Sequence, residues 1–345
     1  MSSSVAERLK PRLAVALALD PVLTPDLLAP RHFDRLARFA KLLSRTPLTE
    51  FRSREALAVL AKTEVLLTGW GCPALDAAAV EAAPGLRVLA HTGSTVKPIV
   101  SDAAWERGIS VTSAAAANGR PVAEFALAAI LLANKGVFTA RERYRQERRA
   151  WRYPWTAPGE PGNFGATVGV VGASRIGRQL IDLLRPFDLN VLLYDPVALP
   201  DVFDPSRVER VDLERLLRRS DVVSLHAPLL PETTGMIDAA RLSLLRDGAV
   251  LINTARGELV DRAALSRELH SRRISALLDV TDPEPLPADS ELFSLPNVFV
   301  TPHIAGAAGR ETERLADLAL DEIERFAAGQ PLLHRVTREM LDLIG

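Results

Sequence analysis

The chain has 345 residues, more than one core usually supports, so two domains are expected. It is 48% hydrophobic and 25% charged, an ordinary globular composition, and its net charge of −1 gives no general pull toward nucleic acid or an anionic membrane. Cys72 is the only cysteine, which excludes a disulfide within the chain and suits a reducing cytoplasm.

The first eight residues lack the apolar core of a signal peptide. Residues 13–19 form a strand candidate, and 33–43 have helical spacing. Residues 65–68 read as a strand, 75–82 as a helix, and 86–90 and 109–111 as further strands. This alternation predicts a parallel sheet covered by helices on both faces. Asn118-Gly119-Arg120-Pro121 then opens a long helix, with Asn118 placed to cap it and Pro121 in its first turn. Its interior is mostly apolar and should be sandwiched between packed elements. The longest apolar stretch, residues 125–132, is far below the roughly 20 residues that span a bilayer. A basic run follows (Arg141, Arg143, Arg145, Arg148, Arg149, Arg152), interrupted by Glu142 and Glu147, and reads as a solvated face. The proline- and glycine-rich residues 151–163 read as a loop closing the first series.

A second series starts at Thr167. Strands are expected at 167–171, 190–194, 222–226, 250–253, 275–279 and 298–301, with helices between most of them, close to the six strands of a doubly wound dinucleotide fold. Residues 311–327 read as one long amphipathic helix.

The strand at 167–171 runs into Gly172-Ala173-Ser174-Arg175-Ile176-Gly177 and then a helical pattern, the setting a phosphate-binding turn needs. Gly172 permits the tight turn, Gly177 lets the helix approach the sheet, and the helix N-terminus offers free N–H groups to a pyrophosphate. Ser174 stands where the fingerprint has glycine, so the turn alone is weak evidence. Asp195 strengthens it. It ends the next strand, where a carboxylate accepts from the adenosine ribose hydroxyls and repels a 2′-phosphate. Pro196-Val197-Ala198 offer no cation to hold such a phosphate, so NAD is expected over NADP.

Three later segments also follow strands, where open α/β sheets bind ligands. Arg256, in Asn253-Thr254-Ala255-Arg256-Gly257, is placed to grip a carboxylate in bidentate fashion, though from position alone a surface arginine is an equal reading. Asp279-Val280-Thr281-Asp282-Pro283-Glu284-Pro285 holds three carboxylates on a backbone that its prolines push toward extended conformations. Asp282 reads as part of an acidic turn. His303, in Thr301-Pro302-His303-Ile304-Ala305-Gly306, has the best context of the six histidines for chemistry. His226 ends a strand and reads as lining the cofactor cleft; His32, His270 and His334 read as structural or exposed. No cysteine cluster or HExxH-type spacing suggests a metal.

From about Val65 to Leu341 the chain resembles the D-isomer-specific 2-hydroxyacid dehydrogenase family. The resemblance rests on Gly172 to Gly177, His226-Ala227-Pro228-Leu229-Leu230-Pro231-Glu232-Thr233, Asn253 to Gly257, the loop from Asp279 to Pro285, and Pro302-His303, in that order. It implies two lobes: a Rossmann-type sheet (residues 118–306) inserted into a flavodoxin-like substrate domain (1–117 and 307–345). It implies Arg256, Glu284 and His303 as the catalytic trio. His303 would exchange the proton with the substrate oxygen, Glu284 would orient its ring, and Arg256 would bind the substrate carboxylate and polarise the keto group. Asp279 would accept from the nicotinamide amide. Ser174, Arg175, Ile176, Ala227, Pro228, Thr254, Ala255 and Gly306 complete the expected cofactor surface. The resemblance further implies a homodimer, D-stereospecificity and a cleft that closes on substrate.

The substrate-carboxylate loop departs from the family pattern. It reads Ala90-His91-Thr92-Gly93-Ser94-Thr95-Val96-Lys97, with Thr95 for a usual glycine and Lys97 for a usual aspartate. The N–H groups of Ser94 and Thr95 are expected to take the carboxylate. Trp70 either reaches the substrate or packs under this loop. The chain ends soon after its last long helix, so no added regulatory domain is expected; this weighs only slightly against a role in serine biosynthesis, since short forms of such enzymes also exist. The expected reaction is that of a glyoxylate or hydroxypyruvate reductase or a phosphoglycerate dehydrogenase; the alternative is an NAD-sensing interaction protein that keeps the fold without turnover.

Overall fold

The computed structural model describes residues 12–148, 162–197 and 203–341. Most of the expected 151–163 loop, together with Arg149 and Arg152 of the basic run, lies outside the described residues. The chain divides into two units: one runs up to Asn118 and resumes at Ala307, and the other is Gly119–Gly306.

The first unit is built on β1 (Leu13–Ala18), β2 (Ala40–Leu42), β3 (Val65–Thr68), β4 (Val88–His91), β5 (Ser110–Ser113) and the late β13 (Arg335–Val336). Their order is β13-β5-β4-β3-β1-β2, parallel throughout except for β13 against β5. The parallel part follows the flavodoxin order 2-1-3-4-5. Both faces of β1, β3 and β4 are buried, as a parallel sheet under helices requires. Helix Thr312–Ala327 returns to this sheet and buries Leu315, Ala316, Ala319, Leu320 and Ile323 among Val15, Leu17 and Leu67.

Two expectations fail here. Residues 33–43 are not one helix: the helix is Pro30–Phe39, and Ala40 turns extended so that Ala40–Leu42 pairs with Leu13, Ala14 and Val15 as an edge strand. Pairing with a distant strand overrides helical spacing. Nor does the long apolar helix start at Asn118. It spans Ala115–Asn134 with Pro121 inside it, because the Asn118 N–H already donates to Ala114 O at 3.0 Å. The Asn118 side chain, freed from capping, accepts from the Ala307 N–H at 2.9 Å.

The second unit contains β6 (Thr167–Val171), β7 (Asn190–Tyr194), β8 (Val208–Arg210), β9 (Val222–Leu225), β10 (Val250–Asn253), β11 (Ser275–Leu278) and β12 (Val298–Val300). All neighbours are parallel, in the order β8-β7-β6-β9-β10-β11-β12. That is the dinucleotide-binding order 3-2-1-4-5-6 with a seventh strand added. Six of the seven match the expected strands; β8 has no counterpart among them. Gly169 lies where helix Leu213–Arg219 crosses β6: a Cβ there would sit 2.4 Å from both Leu216 Cδ2 and Ser220 Oγ. Length and composition alone would let helix Ala115–Asn134 cross a bilayer. Its Ala123, Ala126, Ala129 and Ile130 are instead buried against Val168, Val170 and Leu180.

Candidate active site

The strand order reverses between the parallel neighbours β6 and β9, which opens a crevice at the carboxyl ends of the strands. Gly172 leaves β6 with φ +100°, and a Cβ on it would lie 2.7 Å from Ala227 N and 2.8 Å from the His226 carbonyl carbon. A Cβ on Gly177 would lie 2.1 Å from Gly172 O. Only glycine lets the two turns and the helix start touch. Ser174 caps helix Arg175–Leu184, its hydroxyl accepting from the Gly177 N–H at 3.4 Å. The non-glycine at the fingerprint's centre therefore serves the helix terminus. The N–H groups of Arg175 and Ile176, in the first turn, have no intrahelical acceptor. Arg178 holds the turn from behind, Nε to Ala173 O at 2.8 Å.

Asp195 ends β7. Its carboxylate accepts from the Ala173 N–H at 2.6 Å and the Val197 N–H at 2.8 Å, so it also fixes the glycine turn. The absence of a neighbouring cation, expected from Pro196 to Ala198, needs correction. Arg210, at the end of β8, donates from Nη2 to the Asp195 carbonyl oxygen at 3.2 Å.

At the end of β10, buried Asn253 braces the turn that carries Arg256. Its Nδ2 donates to Arg256 O at 2.7 Å and its Oδ1 accepts from the Ala255 N–H at 3.0 Å. Arg256 is half-buried. Gly257 lies against the next loop: a Cβ there would sit 2.1 Å from the Thr281 carbonyl carbon. Thr254 is 7% exposed, and its hydroxyl has no hydrogen-bond partner. An orphaned hydroxyl of this kind awaits a ligand or water.

Asp279 follows β11 and is 2% exposed. Its carboxylate accepts from Thr301 Oγ1 (2.6 Å), the Ile304 N–H (2.8 Å) and the Ala305 N–H (2.9 Å), while its carbonyl accepts from the His303 N–H (2.9 Å). Most of its acceptor capacity is spent on clamping the His303 loop, a role that the resemblance did not supply. His303 itself has φ +55°, a conformation that costs a non-glycine residue energy and that the clamp enforces. Its Nδ1 meets Glu284 Oε1 at 2.5 Å, with the ring 50% and the carboxylate 42% exposed. Nε2 is left as the nitrogen available to a substrate. The Glu284 loop carries cis peptides before Pro283 and Pro285.

His226 does not line a cleft with its ring. The ring is buried, shares a 2.8 Å hydrogen bond with Ser224 Oγ, and burial lowers its pKa to about 4. The backbone of His226 and Ala227, not the imidazole, faces the glycine turn. Among the described residues, no cluster of His, Cys, Asp and Glu is placed to hold a metal.

In the first unit, the N–H groups of Ser94 and Thr95 find no acceptor among the described residues. Trp70 follows β3 and remains 40% exposed, more than packing under a loop would leave.

Sequence reading missed Asn253 as a brace, Thr301 as a partner of Asp279, and Arg210. Asn253 was within reach, since a buried asparagine at a strand end must satisfy its amide locally. Arg210 was not, because β8 is three residues long.

The residues present fit a dinucleotide: a cradle that any Cβ would fill, unpaired first-turn N–H groups, a carboxylate directly after the second strand and the orphaned Thr254 hydroxyl. Similarity to known proteins agrees. The profile of the D-isomer specific 2-hydroxyacid dehydrogenase NAD binding domain matches residues 127–305. A glyoxylate reductase of Korarchaeum cryptofilum is 36% identical over 77% of this chain and 81% of its own length. A D-3-phosphoglycerate dehydrogenase of Mycobacterium tuberculosis is 34% identical over 79% of this chain, which spans only 51% of that protein. A solved protein of Thermus thermophilus superposes with a TM-score of 0.71 at 31% identity, covering 94% of this chain and 100% of that one. The chain belongs to the D-isomer-specific 2-hydroxyacid dehydrogenase family.

Proposed function

We propose that the protein interconverts a D-2-hydroxy acid and its 2-oxo acid with NAD. The observation that carries this reading is the 2.5 Å pairing of His303 with Glu284, together with an arginine whose turn is braced after the neighbouring strand β10. The nicotinamide, when bound, supplies the hydride in reduction and takes it in oxidation. His303 gives the carbonyl oxygen its proton from Nε2 in reduction and recovers it in oxidation. Glu284 fixes which ring nitrogen faces the substrate. Arg256 holds the carboxylate and polarises the keto oxygen. Ser94 and Thr95 donate their N–H groups to the carboxylate, and Trp70 contacts the far end of the substrate.

Gly172, Ser174, Arg175, Ile176 and Gly177 would hold the pyrophosphate, and Ala227, Pro228, Thr254, Ala255 and Gly306 would border the cofactor. Asp279 has acceptor capacity left for the nicotinamide amide. Asp195 supports a preference for NAD over NADP, which Arg210 moderates but does not reverse while the carboxylate is present. Helix Val137–Glu147 packs Phe138 against Phe299 and the core but fully buries none of its residues, and the outer face this leaves supports a homodimer. The single cysteine is consistent with the cytoplasm as the working compartment. The NAD-sensing alternative is less favoured, because an intact trio with a clamped, strained histidine serves turnover rather than binding alone.

NADH oxidation against glyoxylate, hydroxypyruvate, pyruvate, phenylpyruvate and phosphohydroxypyruvate tests the proposal. Turnover of at least one is expected. NADH binding without turnover of any would favour the sensor.

A further inference from the structure

His91 ends β4, directly ahead of the loop with the free Ser94 and Thr95 N–H groups. It is 3% exposed, and no proposed catalytic step uses it. Its Nδ1 lies 2.9 Å from the Thr68 hydroxyl on the neighbouring strand. Its Nε2 lies under Gly93, where a Cβ would come within 2.4 Å of it. The Thr92 hydroxyl donates to Thr68 O at 2.9 Å and fills the space beside Gly69, where a Cβ would meet it at 2.9 Å. The Ala114 N–H closes the far side, donating to both His91 O (2.9 Å) and Gly93 O (3.0 Å). Thr68, His91 and Thr92 thus tie the loop after β3, which carries Trp70, to the loop after β4.

We propose that this buried Thr68–His91–Thr92 brace is a positioning device for substrate: it sets the height and direction of the Ser94 and Thr95 N–H groups and their register with the Trp70 loop. The brace makes no contact with a reacting atom. Burial keeps the imidazole uncharged, with its pKa lowered to about 4, so it shapes the loop without adding a cation to it. The proposal rests on the reading of Ser94 and Thr95 as carboxylate donors.

The test uses the full-length protein with Thr68→Val, which removes the hydroxyl at nearly constant volume, Thr68→Ser, which restores it, and Gly93→Ala, which drives a methyl into His91. Steady-state kinetics with the best 2-oxo acid is paired with fluorescence titration of NADH and of oxamate into the NADH complex. Losing one orienting hydrogen bond should raise KM and the oxamate Kd about three- to thirtyfold in Thr68→Val, with kcat and NADH affinity within about twofold and recovery in Thr68→Ser. If Gly93→Ala weakens oxamate but Thr68→Val does not, the loop binds substrate and the brace is overturned. If neither variant moves KM or oxamate affinity, the carboxylate-loop reading fails and the brace with it. Equal loss of NADH affinity or kcat in Thr68→Val would mark a merely structural role and also overturn the proposal.

Discussion

Asp279→Asn isolates the clamp on the catalytic histidine. Two of the three donors to this carboxylate, the Thr301 hydroxyl and the Ile304 N–H, converge on Oδ1, while the Ala305 N–H goes to Oδ2. An asparagine amide oxygen at Oδ1 keeps the first two partners, but its Nδ2 then faces the Ala305 N–H, donor against donor. Losing one charge-assisted bond and leaving one buried N–H unpaired should cost about 2 kcal/mol, and Asp279→Ala, which strands all three donors, about 3–5 kcal/mol. For a domain of this size, about 2 kcal/mol corresponds to a fall in Tm of roughly 4–8 °C. The loop that relaxes is the one holding His303 at φ +55°, so kcat should fall further than stability alone explains, by about 10²-fold in Asp279→Asn and up to about 10⁴-fold in Asp279→Ala, the range of a general acid's contribution. Calorimetry and NADH-linked kinetics on the same preparations give both quantities. An Asp279→Asn protein with unchanged Tm and kcat would refute the clamp.

Three further outcomes are expected. Asp195→Ala should weaken NAD binding and narrow the gap to NADP, because Arg210 stays in place for a 2′-phosphate; an unchanged ratio of NADH to NADPH Kd would refute the assignment of Asp195. Gly172→Ala puts a side chain at φ +100° and 2.7 Å from Ala227 N, so NADH affinity should drop at least about tenfold in calorimetric titration, a cost of about 1.4 kcal/mol; wild-type affinity would mean that the turn is free to open. His91 and His226 are held neutral with pKa values near 4, below the ordinary 6.5. The unfolded chain therefore binds more protons between pH 6.5 and 4, and stability should be fully present above 6.5 and decline as pH falls through that window, by up to about 3 kcal/mol per group. Urea unfolding that is flat from pH 7 to 4 would show that the two rings are not buried neutral.

The parts of the site that belong to one short segment were legible in the sequence. Gly172, Gly177 and Asp195 follow consecutive strands, and Arg256, Glu284 and His303 follow later strands of the same sheet, so a parallel order brings them to one edge without further information. What was not legible depends on partners far along the chain. Asp279 reads as a cofactor contact until Thr301, Ile304 and Ala305, 22 to 26 residues later, fold back onto its carboxylate. His226 is misread for a nearer reason: just past β9 its ring turns inward, where Ser224 Oγ, two residues before it, meets its Nε2. Edge strands hide for a different reason: Val208–Arg210 is three residues with two of them exposed, and Ala40–Leu42 continues a helical pattern, so only pairing reveals either.

The account turns on His303 as the group that exchanges a proton with the substrate oxygen. The most direct measurement is kcat for 2-oxo acid reduction in His303→Ala, with NADH affinity measured by fluorescence on the same protein. The expected result is a loss of about 10²–10⁴-fold in kcat with NADH binding intact. A kcat within a few-fold of the parent protein would contradict it and place the proton donor elsewhere.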